Sequence, residues 1–595
     1  EAESQFGEIA WPELPELREL PEATEETAEL QATLLADEDD AVRVLAGQLL
    51  DYHRREAKPV WWAFFNRYGQ SPDELTDLDV EAIGGIAPDG PPVGSAKSLV
   101  YPFQFPPQQH KLSPGQEVHD PLTLDRAGTI DWLDDEHGRL GLRRGPKLER
   151  VPLPKSLIPG GAWDTRTQQA ALRRLGRSVL EGTNRYPALE AILRRDLPRA
   201  RVTPLPQDDL EAAKDVVESL DSSYLVVQGP PGSGKTYTGA RLIVRLIARG
   251  RRVGVTALSH KSIANLLREV EKVADEEGVK FTGLKKGEPY EGPFITTSDD
   301  QANFDEPRER LLLAGTSWLF SRESMEGVID TLFVDEAGQV SLADALASGT
   351  SARNLVLLGD QQQLAQVSQG IHPEGAGASV LEHLLAGEDT VPPERGLFLG
   401  TTWRMHPKIC EFVSEMSYEG RLHPVAQCAL NNVNGEAGLR FIPVEHTGNR
   451  QQSREEAEVI AREVRRLHGE GLRYEDVLVV APYNAQVRCL RAALPERVRV
   501  GTVDKFQGQE APVVFFSMAT SSGDDLVRAI GFLFSRNRLN VAVSRAKALA
   551  VLVASPKLLE IRCRTIEDMR LVNALCRFVE LASPAERSQP DRARP

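Results

Sequence analysis

Residues 229–236 read Gly229-Pro230-Pro231-Gly232-Ser233-Gly234-Lys235-Thr236, set between an apolar strand, Tyr224 to Val227, and a run of helical spacing, Tyr237 to Ile247. Backbone N–H groups can close around phosphate oxygens only where no side chain intrudes, so these glycines suit a phosphate cradle. Lys235 is expected to reach the β and γ phosphates and the Thr236 hydroxyl to hold Mg²⁺, with Tyr237, next in the chain, among the nucleotide contacts. The implied ligand is a nucleoside triphosphate. Asp335 and Glu336 end a second apolar run, Thr331 to Val334. The first carboxylate can hold the metal, and its neighbour can orient or deprotonate an attacking water. A third run, Leu355 to Leu358, ends in Gly359-Asp360-Gln361-Gln362-Gln363-Leu364, where Gln363 is placed to sense the γ-phosphate. Two arginine motifs follow, Thr402-Trp403-Arg404-Met405-His406-Pro407 and Arg538 to Lys547. Guanidinium groups stay charged and donate aligned hydrogen bonds, so Arg404 and Arg545 can stabilise the charge that phosphoryl transfer builds.

Such residues must be brought together by the elements that carry them. From about residue 203, apolar strands alternate with amphipathic helices: Leu225–Val227, Arg252–Thr256, Thr331–Val334, Leu355–Leu358, Val477–Val480, Val513–Ser517 and Leu549–Val553. That alternation predicts an α/β fold of parallel sheets covered on both faces. A Gly-, Pro- and Glu-rich break over 385–398 divides it into two units, 203–395 and 396–582. Only the first carries a phosphate loop, so arginines from the second would complete the site when the two halves close.

The order of these motifs, with Ser259-His260-Lys261, Ala481 to Gln486 and Thr502 to Glu510, resembles superfamily 1 helicases. Within them it is similar to the branch that holds the nonsense-mediated-decay RNA helicase and the Okazaki-fragment nuclease-helicase. Gln361 to Val367 and the run Tyr52 to Phe65 look like bacterial members fused to a RecB-like nuclease. The resemblance spans about residues 225–555 and implies two RecA-like motor domains. It implies ATP and Mg²⁺ as cofactors, Lys235 and Thr236 on phosphate and metal, Asp335 on the metal and Glu336 on water. It implies Gln363, Gln507, Gly508 and Glu510 as γ-phosphate and ribose sensors, Arg404 and Arg545 as arginine fingers, and Trp403 stacked on adenine. Gln207 is the nearest candidate for an adenine-reading Gln, at a long spacing from Gly229.

Single strands are gripped by backbone contacts and stacking. Ser259, His260 and Lys261, Thr316, and Pro482, Tyr483 and Asn484 follow strand ends, and Thr502 and Val503 open the motif ending in Glu510; together they form a candidate track for single-stranded DNA, with RNA as the alternative. His260 and Tyr483 are the candidates for stacking on bases. The expected activity is an ATP-dependent 5′-to-3′ DNA helicase or translocase. An RNA-remodelling helicase and a nucleotide-gated interaction module are the rival readings.

Upstream of the motors, 1–98 reads as an acidic helical segment, 99–160 as an accessory β-barrel and 161–202 as a helical stalk; 583–595 reads as a disordered tail. Trp61, Trp62, Phe64 and Phe65 are expected to form a small core or docking face, and Arg173, Arg174, Arg177, Arg194 and Arg195 a solvated helix face. The chain of 595 residues has a net charge of −17, yet residues 1–50 hold 14 acids against 2 bases, which leaves −5 for the rest. The acidic balance therefore does not forbid a basic groove. All five cysteines lie beyond residue 409 without a CxxC pair, which fits a reducing cytoplasm and gives no zinc or iron–sulfur site. No apolar run approaches a membrane span, and no secretory signal opens the chain. The first residue is not Met, so the chain reads as a fragment or processed product, with any nuclease of the parent protein expected upstream of Glu1.

Overall fold

The computed structural model describes residues 24–95, 98–108, 110–135, 137–305, 311–373, 375–506, 508–526 and 530–584. The chain divides into two compact units: one holds Leu50–Arg166 and Ser368–Glu374, and the other holds Thr167–Val367 and Gly375–Pro595.

In the first unit a seven-stranded antiparallel sheet runs from Ala87–Pro88 to Ile158–Pro159. Its longest strands are Ser98–Gln104, Arg126–Asp134 and Arg139–Arg144, on which Phe103, Ile130, Leu140 and Leu142 are fully buried. Beside it lie helices Tyr52–Asn66 and Pro72–Leu78, the second opened by a Ser71–Glu74 capping box. Phe64, Leu75, Ala82 and Ile158 form a small core with Trp61 and Phe65 packed on it, as the aromatic run predicts, while Trp62 stays exposed. Glu56 on this helix accepts hydrogen bonds from Ser368 Oγ (2.7 Å), Gln369 N (2.9 Å), Gly370 N (3.0 Å) and His372 Nε2 (2.5 Å).

The second unit contains two parallel sheets. The first has eight strands in the order 295–297, 283–285, 312–314, 253–256, 329–334, 352–359, 224–228, 396–398. The second has six, in the order 499–502, 477–481, 511–517, 546–554, 438–443, 583–584. Central strands such as Tyr224–Gln228 and Val477–Ala481 are buried throughout, which explains why they read as unbroken apolar runs. These are the two RecA-like domains. Because every pairing is parallel, the turns that follow the strands collect at one edge of each sheet. Val334 pairs with Thr256 and Leu357, and Gly359 pairs with Gln228. Sequence-distant turns beginning at Gly229, Ala257, Asp335 and Asp360 therefore become neighbours.

Two local readings change. Arg174 is not on a solvated face: its side chain is 13% exposed and pairs with Glu326 at 3.3 Å. A buried cation requires a partner carboxylate, and helical spacing alone does not reveal one. Gly396–Phe398, inside the predicted break, is the edge strand of the first sheet and pairs with Val226–Gln228. Of the terminal segment, Ser583–Pro584 pairs with Arg440–Phe441, and residues 585–595 lie outside the described residues.

Candidate nucleotide site and nucleic-acid face

The phosphate loop leaves strand Tyr224–Gln228 and enters helix Lys235–Ala248 through two left-handed glycines, Gly232 at φ 76° and Gly234 at φ 82°. At Gly232 a Cβ would come within 2.6 Å of Arg404 Cβ and 2.7 Å of Thr402 Oγ1. The first arginine motif, Thr402–Pro407, therefore packs on the loop too closely for any side chain at Gly232. Trp403 N donates to Gly232 O (2.9 Å) and Thr402 Oγ1 to Pro231 O (3.1 Å).

Lys235 Nζ lies 2.7 Å from Glu336 Oε2 and 3.2 Å from Asp335 Oδ1. Burial by itself would push the Lys235 ammonium down, but the two carboxylates hold it above its ordinary value. Asp335 is pushed up by burial against the pull of Lys235. A buried carboxylate of this kind is stabilised by cations placed against it. Glu336 sits at φ 54°, a left-handed conformation that a non-glycine residue adopts at a cost of about 1–3 kcal/mol and that clusters at functional sites.

From the second domain, Arg404 Nε donates to Glu510 Oε2 (2.7 Å) and Nη1 to Ser544 O (3.2 Å). Lys547 reaches the other Glu510 oxygen at 2.5 Å. Glu510 and Arg545 precede strands Ala511–Ser517 and Ala546–Ala554, and Ala511 pairs with Ala546, so both sit at the N-terminal edge of the second sheet. Arg545 is 3% exposed; its Nη1 donates weakly to Gln509 O (3.4 Å), and Nε and Nη2 have no hydrogen-bond partner. Burial and then the charge of Arg404 push it down to about 10. Ser233 Oγ is likewise buried without a partner. Orphaned donors of this kind fit an anion rich in acceptor oxygens, as a triphosphate is.

Trp403 is 69% exposed and Tyr237 49%, with the Arg241 guanidinium 3.3 Å from the Tyr237 ring centroid. Gly508 is exposed at φ 78°, and the expectation for Gln507 falls outside the described residues. Gln207 Nε2 donates to Leu205 O (2.9 Å) and Gly396 O (3.1 Å), and its Oε1 accepts from Phe398 N (2.8 Å). Those bonds tie it to the edge strand of the first sheet. Gln363 Nε2 donates to Asp360 Oδ2 (2.9 Å).

The nucleic-acid candidates fall into two groups. Ser259, His260 and Lys261 open helix His260–Glu276, and Thr316 precedes helix Ser317–Phe320; Ala314 pairs with Val255, so these turns share one edge of the first sheet. Pro482, Tyr483 and Asn484 follow one strand and Val503 another, and Ala481 pairs with Thr502, so they share an edge of the second. Their availability differs. Lys261 and Asn484 are exposed. Tyr483 is only 6% exposed, with its ring stacked on Phe532 at 5.6 Å. His260 lies beneath Gly287, where a Cβ would come within 2.3 Å of its ring, and burial followed by the charge of Lys285 pushes it down. The Tyr483 ring is buried, while His260 is half-buried.

Sequence reasoning missed Tyr418 and Asn540. Tyr418 is fully buried at the end of helix Pro407–Ser417, and its OH donates to Asp360 Oδ2 (2.7 Å). Asn540, on helix Arg536–Val543, donates to Tyr418 OH (2.9 Å) and Gln362 O (2.8 Å). Tyr418 lies outside every motif, and Asn540, though inside the Arg538–Lys547 motif, is marked there by nothing but its place in the run; burial and hydrogen bonding single both out.

Among the described residues no helix is long and apolar enough to cross a membrane. Two family models described as AAA domains match the chain, over residues 205–374 and 376–557. The chain is 25% identical over 401 residues to the DNA polymerase alpha-associated DNA helicase A of Schizosaccharomyces pombe, covering 54% of this chain and 59% of that protein. It is 26% identical over 363 residues to the DNA replication ATP-dependent helicase/nuclease DNA2 of Gallus gallus, covering 58% and 35%. It is 26% identical over 430 residues to the regulator of nonsense transcripts 1 homolog of Neurospora crassa, covering 60% and 38%. The matches thus span between 35% and 59% of these relatives' own lengths. With two parallel sheets, a phosphate loop on the first and paired arginines from the second, the chain belongs to the superfamily 1 helicases, in the branch of the helicase/nucleases and the nonsense-transcript regulators.

Proposed function

We propose that the chain is an ATPase that converts hydrolysis into movement along single-stranded nucleic acid, with DNA as the first substrate and 5′-to-3′ as the direction. The observation that carries this is the packing of Thr402–Arg404 onto Gly232, together with the partnerless donors of Arg545. A triphosphate in the loop would draw Lys235 away from Asp335 and Glu336. Thr236 and Asp335 would then hold Mg²⁺, a hard cation suited to hydroxyl and carboxylate oxygens. When bound, the metal neutralises charge on the β and γ oxygens. Glu336, freed from Lys235, would orient the attacking water, while Arg404 and Arg545 would turn from Glu510 and Gln509 to the transferring phosphoryl group. Gln363, Gly508 and Glu510 would sense γ-phosphate and ribose, and Trp403 and Tyr237 would flank the base. Each cycle would close and reopen the cleft, changing the distance between the grips at 259–261 and 316 and those at 482–484 and 502–503.

RNA is the second reading, because the relatives include both a DNA replication helicase/nuclease and a nonsense-transcript regulator. ATPase rates with matched single-stranded DNA and RNA separate the two readings. The proposal expects stimulation by DNA that exceeds stimulation by RNA. Stimulation by RNA alone would move the substrate assignment, and stimulation by neither would remove the motor reading.

A further inference from the structure

We infer that Tyr418 is a positioning residue that lets Gln363 leave Asp360 for the γ-phosphate while it keeps that loop registered on the helix leading to Arg545. The inference rests on the ATPase reading above and adds to it a residue outside every recognised motif.

Asp360 Oδ2 accepts from both Gln363 Nε2 (2.9 Å) and Tyr418 OH (2.7 Å). Its other oxygen receives Gln362 N (3.2 Å) and, at a longer reach, Gln228 Nε2 (3.3 Å). Asp360 is 3% exposed, so a departing Gln363 would not be replaced easily by water. Removing a donor from a buried charged acceptor costs more than the lost bond is worth on average, because the carboxylate stays desolvated. Tyr418 keeps Oδ2 partnered throughout and so lowers the cost of Gln363's departure.

The phenol can do this because its own geometry is fixed. Asn540 Nδ2 donates to the Tyr418 oxygen (2.9 Å), which leaves the phenolic proton directed at Asp360. Asn540 also holds Gln362 O (2.8 Å), and Asn537 holds Gln361 O (3.1 Å). The loop that carries Gln363 is therefore latched along helix Arg536–Val543, and that helix ends two residues before Arg545. Tyr418 closes helix Pro407–Ser417, which starts three residues after Arg404. One buried phenol thus joins the γ-phosphate loop of the first domain to the helices following one arginine and preceding the other.

Tyr418→Phe removes the proton and the acceptor while keeping the ring, so it is the informative variant. The measurements are ATP affinity without turnover, steady-state kcat and KM at saturating single-stranded DNA, and the melting temperature. The expected result is a kcat lowered about ten-fold or more at a temperature well below the variant's melting point, ATP affinity within about two-fold of the parent, and a melting temperature lowered by only a few degrees. Gln363→Ala should give a similar loss, and the double variant should be no worse than Gln363→Ala, since both changes act on one step. Full additivity of the two losses, or parent-like kcat in Tyr418→Phe, overturns the inference. So does a kcat loss that merely follows a fall in melting temperature. A parent protein that shows no ATP turnover refutes the ATPase reading itself, an outcome separate from any behaviour of the variants.

Discussion

At the scale of single residues, the site is a set of charges that neutralise one another until a triphosphate replaces some of the partners. Lys235 spans both carboxylates at 2.7 and 3.2 Å. Lys235→Ala should therefore abolish hydrolysis and weaken nucleotide binding. Glu336→Gln should keep nucleotide binding and lose turnover. Binding of a fluorescent ATP analogue and steady-state phosphate release distinguish these outcomes, and near-normal turnover in Glu336→Gln would remove Glu336 as the water-orienting group. The charged members of this set were legible in the sequence, because a phosphate loop, an Asp-Glu pair and two arginine motifs each state their chemistry locally. Tyr418, Asn540 and the Gln207 anchoring were not legible. Their roles come from buried hydrogen bonds between elements far apart in sequence, which no local pattern encodes. The Tyr483 ring shows the converse: a residue type suited to stacking says nothing of what covers it.

At the scale of elements, the close approach of Thr402–Arg404 to the phosphate loop depends on Gly232. Its left-handed φ and the 2.6 Å contact awaiting a Cβ act together. Gly232→Ala should push Arg404 off the loop and lower turnover more than it lowers stability, for which a cost of about 1–2 kcal/mol is expected. Phosphate release and thermal melting measured on the same sample check this; a large melting shift with proportionate loss of activity would mean a folding defect instead. The strands that position the site were read from sequence where they are long and buried at all but one residue, as at Ile329–Val334 and Ala546–Ala554. The strands left unread are mostly short, such as Gly283–Lys285, Ile295–Thr297 and Gly396–Phe398. Three residues carry too little periodicity to separate a strand from a loop, and Gly396–Phe398 also stands in a stretch whose composition signals a connection.

At the scale of the whole molecule, the proposal is that nucleotide-driven closure between two parallel sheets moves a strand. Grip on phosphates should make binding weaken steeply with salt, as fluorescence anisotropy at several ionic strengths would report. Duplexes with a 5′ single-stranded tail should be unwound, with little or no unwinding from a 3′ tail. Preference for the 3′ tail in a strand-separation assay would overturn the direction and leave the ATPase intact. The central claim is that the second domain completes the catalytic site of the first, and Arg545 tests it most directly, since it is buried with two donors unpartnered. The decisive measurement is single-turnover ATP hydrolysis at saturating single-stranded DNA, with nucleotide affinity determined in parallel, for the parent chain and Arg545→Ala. The account predicts a turnover loss of about 10³-fold or more, the scale of an arginine finger, with affinity changed far less. Parent-like turnover in Arg545→Ala, or a loss seen only in affinity, would contradict it.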